Sequence, residues 1–173
     1  MTILELDRER LEILAEEGNV LVCGGPGCGK TTIALLKAKG RISDLDEAQA
    51  VLFLSFSRAA VRQISDRMRG VLSRLEQERL EVRTFHSFFI ELVRSHGRIL
   101  NQLESTFVAP DRERVLRSEF SGDWIAEAER RATIEGSYVF DQLAPAAANI
   151  VEKSRMARAL YSGSSVVPVG RCT

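Results

Sequence analysis

Residues 23–32 read Cys-Gly-Gly-Pro-Gly-Cys-Gly-Lys-Thr-Thr, and Gly24, Gly29, Lys30 and Thr31 fit the spacing G-x-x-x-x-G-K-[ST]. That spacing has a chemical purpose. Glycines let successive backbone N–H groups converge on phosphate oxygens, and a helix starting at the loop adds the positive end of its dipole. Gly24, Gly25, Pro26, Gly27, Cys28, Gly29, Lys30, Thr31 and Thr32 therefore form a candidate phosphate cradle. In such a loop the Lys30 ammonium reaches the β- and γ-phosphates of a nucleotide, and the Thr31 hydroxyl ligates Mg²⁺. Lys30 and Thr31 are thus the candidate catalytic pair, with Thr31 the metal ligand. Cys28 lies inside the loop, and Cys23 before it reads as a small buried hydrophobe.

A cradle of this kind works only between a strand and a helix. Residues 19–23, Asn-Val-Leu-Val-Cys, are a short apolar run suited to a buried strand, and residues 31–40 have the pattern of a helix ending in Lys and Gly. A leading amphipathic helix precedes them in residues 6–19, with Leu11 and Leu14 on one face. Beyond the loop, residues 50–56 predict a second strand and residues 57–75 one long helix bearing Val61, Ile64, Met68 and Leu72 at helical spacing. Residues 80–85 predict a third strand, leading into a helix that runs to Gly97. From Ala109 the pattern is helical, with Pro145 at a helix start and Gly163 at a stop. Strands alternating with helices imply a parallel sheet with ligands at the carboxyl ends of its strands. The last helix, residues 145–163, leads to Val166-Val167-Pro168-Val169, a strand that Pro168 and Gly170 are expected to break.

With 24 basic and 24 acidic side chains the net charge is zero, but the balance is uneven along the chain. Residues 58–98 carry nine basic and five acidic groups, and all nine are Arg. A solvated helix face and a nucleic-acid surface both account for such a bias. There is no run of about 18 apolar residues and no charged-then-apolar leader, so neither a membrane span nor a secretion signal is expected. Three cysteines, odd in number and without metal-ligand spacing, point to a reducing, cytoplasmic setting.

Three stretches taken together resemble one family. The phosphate loop, then Phe56-Ser57-Arg58 with Ala59-Ala60, then Thr84-Phe85-His86 are similar in order and spacing to motifs I, Ia and Ib of the UvrD/Rep-like superfamily 1 DNA helicases. Residues 136–161 resemble the helical stretch before that family's second catalytic strand. The resemblance implies an α/β fold: a P-loop NTPase (RecA-like) parallel sheet with flanking helices, incomplete here, and a mostly helical C-terminal half. It places the front half of the nucleotide-binding domain at 1–108, a helical segment at 109–163, and a broken strand or tail at 164–173. It implies ATP and Mg²⁺ as cofactors and single-stranded DNA as partner. Ser57, Arg58, Thr84, Phe85 and His86 would then sit on strand-end loops against that DNA, by phosphate contact and base stacking. Phe88 and Phe89 read as core.

The chain also departs from the family pattern. Where the leading helix of the family carries a Gln that reads adenine, Arg10 stands, a donor with no acceptor. Ala59 replaces a common Lys. Asp46-Glu47-Ala48-Gln49 mimics the acidic motif II, yet it precedes an apolar strand where that motif must follow one. No carboxylate occurs in residues 162–173, where motif II would fall, so the expectation is a chain stopping short of it and inactive alone, with another chain a candidate source of the missing half. Two further classes stay open: a small P-loop nucleotide kinase, whose phosphate loop looks similar, and a non-catalytic nucleotide-binding regulatory subunit.

Overall fold

A computed structural model describes residues 7–162 except Asn19, Pro26 and Ala48, with side chains through Ala159, and the backbone of Val166–Val169. In chain order the elements are α1 (Arg8–Ala15), α2 (Lys30–Ile42), β1 (Val51–Ser55), α3 (Arg58–Val71), α4 (Arg74–Glu78), β2 (Leu80–Thr84), α5 (Phe85–His96) and α6 (Arg98–Asn101). Then come β3 (Thr106–Phe107), α7 (Pro110–Glu119), α8 (Trp124–Arg130), a π-helical turn (Arg131–Glu135), β4 (Ser137–Tyr138), α9 (Phe140–Lys153), α10 (Arg155–Ser162) and β5 (Val166–Val169). The chain forms two compact units, Met1–Thr84 with Ser164–Thr173, and Phe85–Gly163. The division lies where β2 meets α5, ahead of residue 108.

The first unit is a three-stranded parallel sheet in the order β2-β1-β5. Every residue of β1 is buried, because its run Val-Leu-Phe-Leu-Ser is covered on both faces, as a central parallel strand requires. Leu35, Ala38 and Ile42 of α2 and Ile64 of α3 join Val51, Phe53 and Leu80 in one core. The fold is α/β and mostly helical, but the sheet is smaller than a full RecA-like one. Val20–Gly25, where a strand was expected, has no regular secondary structure. Apolar residues alone do not make a strand; they need a neighbour's N–H and C=O groups, and Leu21 here is 84% exposed. Conversely, β5 pairs with β1 through Pro168, opposite Leu54. An edge strand tolerates a residue without an N–H, so the expected break at Pro168 does not occur. Gly170 and the residues after it lie outside the described residues.

Capping explains the helix boundaries. The Ser57 hydroxyl accepts from Ala60 N to start α3. The expected helix over 57–75 stops at Leu72, because Ser73 and Glu76 form a reciprocal capping box that starts α4. That exchange, strengthened by Lys39, holds the Glu76 carboxyl below its usual range. Two lysines of α2 close other helices: Lys37 Nζ donates to Ile13 O at 3.1 Å and Glu16 O at 2.5 Å at the end of α1, and Lys39 Nζ donates to Val71 O at 3.1 Å at the end of α3.

The second unit packs α5 against α9 around Leu92, Val93, Leu143, Ala147 and Ile150. Phe89 lies on that core and Phe88 is half-buried. The pair β3-β4 is parallel, and Gly136 joins the π-helical turn to β4. Glu127 binds Arg130 through two bonds of 2.7 and 2.9 Å and Arg131 through one of 2.7 Å. These bonds, Arg130 first, pull the Glu127 carboxyl from near 4.5 down to about 2. Pro145 lies inside α9, which begins five residues before the expected start. The bond it forgoes is to the first-turn carbonyl of Asp141, an exposed position where water replaces it.

Candidate nucleotide and nucleic-acid site

The phosphate loop runs into α2 through Gly29, which holds φ 91° and ψ 8° as the helix N-cap. Gly27 also has positive φ, 81°. Any side chain at either would be strained, so the glycines are set by backbone conformation. Gly29 O accepts from Thr32 N at 2.9 Å and Ile33 N at 3.0 Å, so α2 starts cleanly at Lys30. The first-turn N–H groups of Lys30 and Thr31 therefore have no intrahelical acceptor and point out of the helix end. Lys30 Nζ folds over the loop, donating to Gly24 O at 2.5 Å and Gly25 O at 2.8 Å, with Cys28 Sγ at 3.5 Å. A Cβ on Gly24 would sit 2.7 Å from Cys28 Sγ, so the loop is closed tightly. Pro26 lies outside the described residues.

This donor set fits a nucleotide phosphate: an ammonium, outward N–H groups at a helix start, and the Thr31 hydroxyl beside them. Mg²⁺ in such sites takes few protein ligands, and Thr31 supplies one. Among the described residues no group of three or more His, Cys, Asp or Glu is gathered for a metal. Arg10 is brought to the loop by α1: a Cβ on Gly29 would lie 3.9 Å from Arg10 Nη2. Asp7 fixes that helix, accepting from Arg10 N at 2.9 Å. Cys23, expected to be buried, is exposed, as is Cys28.

Parallel pairing of β1 and β2 sets Ser55 opposite Thr84, which brings the strand ends bearing Ser57 and Thr84 together at the carboxyl edge of the sheet. Phe56 there is 77% exposed, and Arg58 is exposed. The Ser57 oxygen is engaged as the cap of α3, leaving its O–H available as a donor.

In the second unit, Phe85 opens α5 and tilts against Phe89, with ring centroids 6.1 Å apart. The His86 ring stacks on Phe140 at 4.5 Å and 18°. Phe140 is 54% exposed. Sequence reasoning passed over it; its only signal was a large aromatic at the very start of a helix, on the solvent side.

Asp46–Gln49 forms a turn at the amino end of β1. Gln49 N donates to Asp46 O and Asp46 N to Gln49 Oε1, both at 3.0 Å. Arg79 ties the turn down by donating to Gln49 O at 3.0 and 3.3 Å and to Asp46 O. Ligands of parallel sheets sit at the opposite, carboxyl end. The resemblance of this tetrapeptide to an acidic catalytic motif is therefore structural coincidence. A cavity of about 370 Å³ in the second unit, bordered by Asn101, Tyr138 and Asn149, contains none of the sequence-predicted site residues.

Comparison with known proteins matches residues 6–159 to the family described as UvrD/REP helicase N-terminal domain. The large subunit-type relative found among curated proteins, an ATP-dependent helicase/nuclease subunit from Heliobacterium modesticaldum (strain ATCC 51547 / Ice1), is 26% identical over 148 residues, covering 76% of this chain and 11% of that protein. The chain thus corresponds to about a tenth of that relative's length.

Proposed function

Since the chain belongs to the UvrD/Rep helicase family through its N-terminal domain, we propose that it is the nucleotide-binding front of an ATP-dependent DNA helicase, acting in the cytoplasm. The observation that supports this most directly is the phosphate loop itself, with Gly29 in the left-handed region opening a helix at Lys30. Lys30 would exchange the carbonyls of Gly24 and Gly25 for the β- and γ-phosphate oxygens of ATP. The outward N–H groups of α2 would meet the same phosphates, and Thr31 would hold Mg²⁺. When bound, Mg²⁺ neutralises charge on the phosphates. Arg10, beside Gly29, would lie along the nucleotide and donate to it. Because it cannot accept from the adenine amino group, the site discriminates weakly between bases.

Single-stranded DNA would cross the carboxyl edge of the sheet. Ser57 and Arg58 would donate to its phosphates, and Thr84, Phe85 and His86 would meet the next nucleotides, with His86 braced by Phe140. Stacking on such rings holds bases without reading them. Among the described residues no carboxylate stands at the carboxyl edge formed by Ser55, Phe56, Ser57 and Thr84, and the pair Asp46-Glu47 is at the other end of β1. The 173-residue chain therefore binds Mg-ATP without turning it over appreciably, and the rest of the catalytic site comes from elsewhere. The relative's designation as one subunit of a larger enzyme fits a partner chain. Among the described residues no helix is long and apolar enough to cross a membrane.

The test is calorimetry of Mg-ATP binding with Lys30→Ala as comparison. Loss of one charge-assisted bond should weaken binding by about 1.5–3 kcal/mol. Phosphate release is measured alongside. Equal affinity for both proteins, or turnover that vanishes in the Lys30 variant, refutes the proposal in its two halves respectively.

A further inference from the structure

The cap at Ser57 starts α3 at the carboxyl end of β1, and the helix carries more than Arg58. Positions 58, 62, 65 and 69 are spaced four, three and four residues apart, so they share one face of the helix. Three of them are Arg58, Arg62 and Arg69, all exposed, with Ser65 between. The opposite side of the helix is turned to the core by Ile64, 2% exposed, with Met68 and Val71. Arg67 projects away from the row. Among the described residues no carboxylate pairs with Arg58 or Arg62. Arg69 meets only Asp66, at 3.5 Å, where both side chains are about 70% exposed and the pair is weak. Asp66 is the sole acid on α3. A solvated helix face ordinarily balances its charges at these spacings; this one does not.

We propose that the row Arg58–Arg62–Arg69 is a phosphate track, along which the backbone of a single-stranded nucleic acid runs after leaving the strand ends. From Arg58 to Arg69 the row extends about 16 Å, at 1.5 Å per residue. At about 3.4 Å per nucleotide of a stacked strand, that is a path for about five phosphates. Guanidinium groups suit it because they donate in a planar fork that matches phosphate oxygens. The track gives the strand a direction of exit along α3. This inference rests on the proposed binding of single-stranded DNA at Ser57 and Thr84, and extends it to residues that proposal does not use.

The experiment measures binding of a fluorescein-labelled oligothymidylate to the full chain by anisotropy, from about 50 to 200 mM salt. Four proteins are compared: wild type, Arg62→Ala/Arg69→Ala, Arg58→Ala/His86→Ala and Arg67→Ala. Each phosphate contact on a single strand contributes about 0.7 to the slope of log affinity against log salt. The Arg62/Arg69 variant should therefore lose about 1.4 from the slope, or about a sevenfold smaller decline over that fourfold range. Arg67→Ala should leave the slope as it is. All these arginines are exposed, and circular dichroism of each variant verifies the fold. An unchanged slope in Arg62→Ala/Arg69→Ala, while Arg58→Ala/His86→Ala abolishes binding, overturns the track and leaves the strand-end site standing. An equal drop for Arg67→Ala means a diffuse positive field and also overturns the track. No binding by the wild type sinks both proposals. Tighter binding to a duplex of the same length than to the single strand would show that the row serves double-stranded DNA instead, and overturns the track as stated.

Discussion

Replacing Gly136 with Ala should unravel the junction between the π-helical turn and β4, and its cost can be worked out from the local geometry. Gly136 has φ 65° and ψ 19°. An L-residue held in that region loses about 1–2 kcal/mol. The added Cβ would also stand 2.5 Å from Glu104 O and 3.1 Å from Leu103 Cβ. Glu104 O is backbone, so relief means moving the chain just before β3. That shift strains the bond from Thr106 N to Gly136 O, 2.8 Å in length, on which the β3-β4 pairing depends. Overpacking of this kind costs about 1–3 kcal/mol. The sum is about 2–5 kcal/mol, which for a chain of this size lowers the melting temperature by about 4–20 °C. Gly40 provides the opposite case. It lies inside α2 with nothing within 4 Å of a built Cβ, so Gly40→Ala should stabilise by about 0.5–1 kcal/mol. Urea denaturation followed by circular dichroism measures both. Trp124, the single tryptophan, reports on the second unit through its fluorescence. A cost below about 1 kcal/mol for Gly136→Ala would refute the reasoning, because even the backbone conformation alone demands that much.

Three other outcomes are expected. Glu127 is depressed to about 2 by Arg130 and Arg131, so its contribution is present above its ordinary value near 4.5 and is lost as pH falls toward 2. The stability difference between wild type and Glu127→Gln, measured by denaturation across pH, should be largest above pH 5 and close to zero near pH 2; a difference constant over that window would contradict it. Lys37→Met should free the carbonyls of Ile13 and Glu16, removing about 1 kcal/mol of local stability. Hydrogen exchange in α1 should then speed up about fivefold, and unchanged exchange would show that these bonds contribute nothing. Alkylation of the exposed Cys28, whose sulfur lies 3.5 Å from Lys30 Nζ, should slow when Mg-ATP is added; equal rates would place nucleotide elsewhere.

Local chemistry was legible in the sequence wherever a single residue sets a local geometry. The glycines of the phosphate loop, Ser57 as a helix cap and the all-apolar β1 declare themselves because each is decided by its own backbone or burial. What depended on a distant partner did not show. Val20–Cys23 has a strand's composition but no ladder, and Val166–Val169 has a proline but does have one. The capping box at Ser73 was readable as Ser-x-x-Glu, yet the hydrophobic spacing across it favoured one continuous helix. Pro145 signalled a helix start and lies inside α9, because only the exposure of Asp141 reveals that the lost bond is inexpensive. At the candidate site, the phosphate loop and strand ends follow from motif spacing. Phe140 against His86 does not, since those residues are 54 positions apart and meet only through the packing of α9 on α5.

The two lysines of α2 make that helix a crossbar. One is fastened to the end of α1 and the other to the end of α3, two residues apart on the same rod. A hydrogen bond tolerates only a few tenths of an ångström before it weakens sharply. A twist or slide of α2 beyond that either breaks both fastenings or carries α1 and α3 along. Motion begun at the Gly29 end is therefore transmitted as displacement of whole helices, and Arg10 on α1 and Arg62 on α3 move as attachments of one frame.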